Sequence, residues 1–231
     1  MLTIAMTCYK WTRYTDNTIK SVLMNKKNPI DFIILLDNPW ENEMKKLKEF
    51  EKNWDKKNWT FRYWIQETKD RINWLWNHLK EMETQEKLFV INDDIEITQN
   101  FDEIIEQMTN VFNIINPLFW TPYNWWLLNK WDCIAWHARA LCKVNLERIL
   151  PIDSRIKLYF WDDWIFHKWH DFWLNIDWIQ QVQVLHYTSK TCENPEIIEE
   201  VRKVIAEDIE NWKEILKEHN RPDRRFNPIN Q

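Results

Sequence analysis

The chain has no glycine and 18 tryptophans among 231 residues, and this pairing constrains its backbone more than any motif does. Glycine supplies the positive φ that tight turns need, and average usage would place roughly 16 in a chain of this size. Tryptophan stands where glycine chemistry is expected. Asn-Trp recurs at 53–54, 58–59, 73–74 and 124–125, in the manner of Asn-Gly turns. Asp37-Asn38-Pro39-Trp40-Glu41 has the form of a Pro-Gly turn after a strand, and Asn129-Lys130-Trp131-Asp132 reads alike. Two readings account for the pattern. In one, most tryptophan positions stand for glycine, as when a UGA codon that the host reads as glycine is translated as tryptophan. In the other, the chain is Trp-rich and offers aromatic platforms to sugar rings.

With 45% hydrophobic and 29% charged residues, the chain suits one domain whose core needs no disulfide or metal staple. A net charge of -5 argues against a nucleic-acid partner. No run approaches the roughly 18 apolar residues of a membrane span, and the amino end lacks the pattern of a signal peptide. Cys8, Cys133, Cys142 and Cys192 form no C-x-x-C pair, which fits reduced thiols in a cytoplasmic protein. Association with a membrane surface stays open.

Apolar runs at 2–6, 32–36 and 87–91 read as buried strands, with 60–63 strand-like. Between them, 18–24, 41–52 and 70–82 carry apolar residues at helical spacing, behind a polar loop over 7–16. This alternation predicts a doubly wound α/β sheet. Further on, 101–112, 138–150 and 164–172 read as helices and 181–186 as a half-buried strand. Residues 117–136 read as loops and short strands. A long amphipathic helix covers 196–219, and a polar tail follows from 221.

Three constellations carry chemistry. In Ile91-Asn92-Asp93-Asp94-Ile95-Glu96 a buried strand ends in adjacent acids, at the edge where open α/β sheets bind ligands. Adjacent carboxylates repel, so the cluster suits either Mg²⁺ or Mn²⁺ with phosphate, or a loop in which an aspartate caps a helix. Asp162-Asp163 precedes an apolar helical run and reads as a cap or as a general base. His186 ends the last strand, as a structural residue or a third metal ligand. No Walker A loop and no nucleophile elbow is present.

These motifs, in this order, resemble the GT-A fold glycosyltransferases, in particular the inverting family 2 type, from about Leu2 to Ser189. Thr3-Ile4-Ala5-Met6-Thr7-Cys8-Tyr9-Lys10 resembles the family's opening strand and loop, and Leu36-Asp37-Asn38-Pro39-Trp40 its V-D-N/D-G-S segment. Asn77 resembles the second asparagine of its N-x-G-x-x-x-x-N region. Asn92-Asp93-Asp94 resembles the D-x-D motif, Asp162-Asp163 the E-D pair, and His186 the late histidine of the metal site. Asn92 replaces the first acid, Trp76 stands where an arginine is usual, and Asp162 replaces glutamate.

The resemblance implies a mostly parallel GT-A sheet flanked by helices over 1–192, a C-terminal helix packed on it over 193–220, and a flexible tail over 221–231. It implies transfer of a sugar from a UDP- or GDP-sugar to a saccharide or other hydroxyl acceptor, with inversion. Thr7, Tyr9, Asp37, Asn77 and Asp93 would bind the nucleotide sugar. Asp94, Asn92 and His186 would hold Mn²⁺ or Mg²⁺, and Asp163, with Asp162 second, would be the base. Two rival functions remain at this stage: a nucleotide-sugar-binding protein without turnover, and a metal-dependent nucleotidyltransferase.

Overall fold

A computed structural model of the chain describes residues 1–54, 60–66, 72–97, 100–120, 138–157, 160–187 and 198–221. Strand β1 (Leu2–Cys8) is buried along its whole length. It pairs in parallel with β2 (Ile30–Asp37) on one side and β4 (Lys87–Asn92) on the other. Strand β3 (Thr60–Gln66) adds to β2, again in parallel. Helices α1 (Arg13–Asn25), α2 (Glu41–Asn53) and α3 (Ile72–His78) connect these strands. The short β5 (Ile95–Ile97) and α4 (Phe101–Met108) follow. After them come β6 (Asn113–Trp120), β7 (Ala138–Cys142), α5 (Lys143–Ile149), α6 (Trp161–Asp171), β8 (Asn175–His186) and α7 (Ile198–Glu218). One sheet takes all eight strands in the order β3-β2-β1-β4-β7-β6-β8-β5.

The two-residue period of the strands supplies both faces of this sheet with apolar side chains. Ile4, Phe32, Phe89 and Ile91 meet α1, α2 and α4 through Ile19, Val22, Leu47, Phe101 and Ile105. Ala5, Ile33, Leu88 and Val90 face the other way, toward Leu75 of α3, Leu146 of α5, Trp164 of α6 and Trp212 of α7. A sheet covered on both faces explains why its central strands read as unbroken apolar runs.

The structure departs from the sequence reading in several places. The expected helix over 138–150 is β7 followed by α5. All five residues of β7 are buried, pairing with β4 and β6, and burial between two strands overrides the helical preference of Ala, Arg and Leu. Helix α1 begins at Arg13, within the expected loop. Its Thr12 cap accepts from the Tyr14 N–H at 3.1 Å, while the Thr12 N–H donates to the Thr15 hydroxyl at 3.0 Å. Helix α4 stops at Met108 because Asn113 and Asn110 take over the next backbone groups. Residues 113–120 form β6, which runs parallel to β8; of the loops and short strands expected over 117–136, residues 121–136 lie outside the described residues. The antiparallel pairs of β4 with β7, β6 with β7 and β5 with β8 depart from simple double winding.

Helix α7 packs Trp212, Ile215 and Leu216 into the second core. Its buried Asp208 accepts from the Lys157 N–H at 2.9 Å, and Glu218 pairs with Arg155 at 2.7 Å. The expected tail lies outside the described residues save for Arg221. Cys8 and Cys142 are free and buried, while Cys133 and Cys192 lie outside the described residues. Among the described residues, no helix is long and apolar enough to cross a membrane.

Strand β4 contributes a large side chain to the first core. Phe89 is fully buried and packs against Phe101 with ring centres 5.7 Å apart. Phe89→Ala should cost about 3–5 kcal/mol in urea unfolding. Met24→Ala, on a side chain 70% exposed, should stay within about 0.5 kcal/mol of wild type.

Candidate active site at the carboxyl edge of the sheet

Strand alternation decides which polar residues meet at this edge. Thr7 lies two residues beyond Ala5, Asp37 two beyond Leu35 and Asn92 two beyond Val90, and all three predecessors belong to the second core. Thr7, Asp37 and Asn92 therefore share that face of the sheet. Thr7 stands opposite Leu35 on one neighbour and Asn92 on the other. Asp37 stands opposite Gln66. Thr7, Tyr9, Asp37 and Gln66 are all buried.

The two acids after β4 meet different partners. Asp93 accepts from the Thr15 hydroxyl of α1 at 3.1 Å, next to Cys8, whose sulfur lies 3.9 Å from that hydroxyl. Burial first, and the charge of Asp94 second, push the Asp93 carboxyl up to about 7, against lowering by Cys8 and Thr15. Burial also raises the Cys8 thiol well above its ordinary value, with the charges of Asp93 and Glu43 adding to it. Asp94 Oδ1 lies 3.2 Å from His186 Nε2, with both side chains almost fully buried.

Pairing of β5 with the end of β8 makes that second contact. Ile95 stands opposite His186, and the next residue, Tyr187, donates its backbone N–H to Asp94 O at 2.9 Å. The Tyr187 hydroxyl bonds to Glu96, and its ring lies 4.9 Å from that of Tyr14. Thr18 fixes β5 to α1, donating to Ile95 O at 2.7 Å and accepting from Ile95 N at 3.0 Å.

Helix α6 ends at Asp171, shortly before β8 begins at Asn175. Asp162 and Asp163 are its second and third residues, and Asp163 is half-buried. The acid that follows β4 and the histidine that ends β8 thus meet at one edge of the sheet. Asn77 is used differently from the expectation of a nucleotide contact. Its amide donates to Ile152 O at 3.1 Å and accepts from Ile152 N at 2.7 Å, which ties α3 to the segment leading into α6. Thr15, Glu43 and Tyr187 were missed in the sequence. Thr15 and Glu43 stand three residues after their helix caps, a signal that was legible; Tyr187 carries none.

The donor set fits a divalent cation. A carboxylate oxygen and an imidazole nitrogen converge from separate strands, a pair that suits Mn²⁺. Among the described residues, no three His, Cys, Asp or Glu side chains gather as a cation site. Two such side chains alone would leave the ion under-coordinated, so it would need further oxygen ligands.

No family model and no curated protein matches the sequence. Solved structures do resemble the fold. The crystal structure of GalNAc-T7 with UDP, GalNAc and Mn2+ matches with a TM-score of 0.63 at 11% identity, over 80% of this chain and 43% of that one. S. aureus TarS matches with a TM-score of 0.62 at 10% identity, over 89% of this chain and 39% of that one. TarS 1–349 in complex with UDP gives 0.61 at 10% identity, over 90% of this chain and 65% of that one. These are GT-A-type glycosyltransferases, and the chain has their fold: a curled eight-stranded sheet flanked by helices. The chain spans 39–65% of the length of these structures.

The raised Asp93 carboxyl gives a signed expectation. The folded protein keeps a proton from 3.8 to about 7 that the unfolded chain has lost, so this group's contribution to stability declines as pH rises through that window. In metal-free protein, Asp93→Asn should gain stability over wild type as pH goes from 4 to 7, measured by urea unfolding. A constant difference across the range would show that Asp93 titrates as an ordinary carboxylate.

Proposed function

We propose that the chain is an inverting glycosyltransferase that moves a sugar from a UDP- or GDP-sugar to a hydroxyl of a saccharide or other acceptor. The observation that carries this reading is the Asp94–His186 pair, 3.2 Å apart, set at the binding edge of a GT-A sheet. Neighbours of the same fold were crystallised with UDP, and one with Mn2+ as well.

In this reading Thr7, Tyr9 and Asp37 receive the nucleoside, and Asn77 orders the segment beside it. Asp94 and His186, with the Asn92 amide oxygen, hold Mn²⁺ or Mg²⁺ against the diphosphate, and Asp93 backs them from the α1 side. The cation supplies Lewis-acid neutralisation of the charge on the leaving phosphate. Asp163 accepts the proton of the acceptor hydroxyl, with Asp162 as second candidate. The hydroxyl oxygen then bonds to the anomeric carbon as the bond to the nucleoside diphosphate breaks on the opposite side. That direction of attack inverts the anomeric centre.

Nucleoside diphosphate release from a panel of UDP- and GDP-sugars, with Mn²⁺ or with EDTA, tests the proposal. Asp94→Asn should abolish release and weaken donor binding, and His186→Ala should do so less severely. Asp163→Asn should lower kcat by about 10²–10⁴-fold, the usual contribution of a positioned base, with donor affinity within a few-fold. Full activity of Asp94→Asn, or full activity in EDTA, would overturn the metal role. Pyrophosphate as the product would make the chain a nucleotidyltransferase.

The tryptophan pattern belongs to the same proposal: exposed tryptophans at turns stand for glycine. Trp173 supports it best, with φ of 54° and 89% exposure, two residues past α6, where helices commonly end on glycine. A bulky side chain in left-handed backbone is an outlier. Trp40, 44% exposed before α2, has extended backbone with φ of -76°, so its case rests on the Asp37-Asn38-Pro39-Trp40 turn pattern. Trp54 and Trp212 instead pack as tryptophans, Trp212 stacking on Phe160 with ring centres 5.4 Å apart. Peptide mass spectrometry of protein from its own host should read glycine at 173 and 40. Tryptophan at both would reject the idea.

A further inference from the structure

The loop after β1 is joined to the first turn of α2 by a buried ion pair. Lys10 Nζ lies 3.8 Å from Glu43 Oε2, with side chains only 7% and 5% exposed. Glu43 is also a backbone clamp, accepting from the Trp11 N–H at 2.7 Å and from the Trp40 N–H at 2.5 Å. These acceptances involve main-chain N–H groups, so they hold whatever side chain occupies 11 or 40. Two loops that would otherwise move separately are thereby fixed to the start of α2.

The ammonium has a second partner. Lys10 Nζ donates to Asn38 O at 2.9 Å, and the Asn38 N–H donates to Gln66 O at 2.8 Å. Asn38 is in left-handed backbone, with φ of 44°, a conformation that persists only when its surroundings impose it. Here it is held from both sides, by β3 through its N–H and by Lys10 through its carbonyl. Asp37, the residue before it, is the last of β2 and stands opposite Gln66. The same ammonium lies 4.3 Å from the centre of the Trp40 ring and 5.7 Å from that of the Tyr9 ring.

We propose that Lys10 is the positioning residue of the nucleobase pocket, holding the Asp37–Asn38 turn and Tyr9 in the geometry that selects the base. The proposal rests on the nucleotide-sugar reading above. Lys10 acts through its neighbours and not as a phosphate ligand, because its charge is matched by Glu43 and its head is buried against a carbonyl.

UDP, GDP and uridine binding to the full chain, in Mn²⁺, tests this in wild type, Lys10→Met and Lys10→Gln, with folding checked by circular dichroism. Lys10→Met should weaken the preferred nucleotide by about 10- to 100-fold, the scale of one charge-assisted hydrogen bond, and should narrow the ratio between UDP and GDP. Uridine should lose the same factor as UDP. Lys10→Gln keeps a donor for Asn38 O, and should recover part of the affinity and of the ratio. It also serves as the test variant if Lys10→Met does not fold, and must then fall below wild type in both. A folded variant with wild-type affinity and wild-type ratio would overturn the proposal. Loss confined to UDP, with uridine unchanged, would overturn it in favour of a phosphate contact. Wild-type protein that binds neither nucleotide would instead defeat the nucleotide-sugar reading itself.

Discussion

The contact between Asp94 and His186 joins the two halves of this molecule. Asp94 follows β4, in the middle of the sheet, and His186 ends β8, the last strand of the chain. Their meeting requires β5 to pair antiparallel with β8, which in turn requires α1 to hold β5 through Thr18. Two adjacent carboxylates at the end of a buried strand are unfavourable alone, since each raises the cost of ionising the other. The fold separates them, giving Asp93 to α1 and Asp94 to β8. A cation that neutralises Asp94 would also remove part of the repulsion that now raises Asp93.

The proposed binding machinery is built on a rigid base. Thr7, Asp37 and Asn92 are terminal residues of strands whose earlier residues are locked into the second core. Each polar side chain inherits its direction from the apolar residue two positions before it. The loops beyond are then held by a small number of polar groups: buried Glu43 on the α2 side, buried Thr15 on the α1 side and half-buried Asn77 against the segment before α6. Side chains supported in this way hold position without depending on loop rigidity.

Much of this was legible in the residue pattern. The runs at Leu2–Met6, Phe32–Leu36 and Leu88–Ile91 are too continuous for half-exposed strands, and they form the parallel centre of the sheet. Asp93-Asp94 follows the last of them, and His186 ends β8 as the pattern indicated. Helix α2 begins at Glu41 as expected. What failed was local. Ala138-Arg139-Ala140-Leu141-Cys142 carries no strand signal of its own, and becomes β7 only because β4 and β6 offer it hydrogen bonds on both sides. Helix α1 started five residues earlier than its apolar spacing suggested, because Thr12 and Thr15 cap it.

Sequence alone determined the strand–helix alternation, the buried parallel core and the edge where acids gather, because periodicity and burial are written locally along the chain. Tertiary structure decided which groups meet there. Asp94 and His186 lie 3.2 Å apart although 92 positions separate them in the chain, and Lys10 reaches a carbonyl 28 residues away. Asn77 illustrates the same limit in reverse, since its amide is taken by the Ile152 backbone, 75 residues on. A side chain's partner is set by which strands pair and in what register, and that choice depends on the packing of the whole sheet.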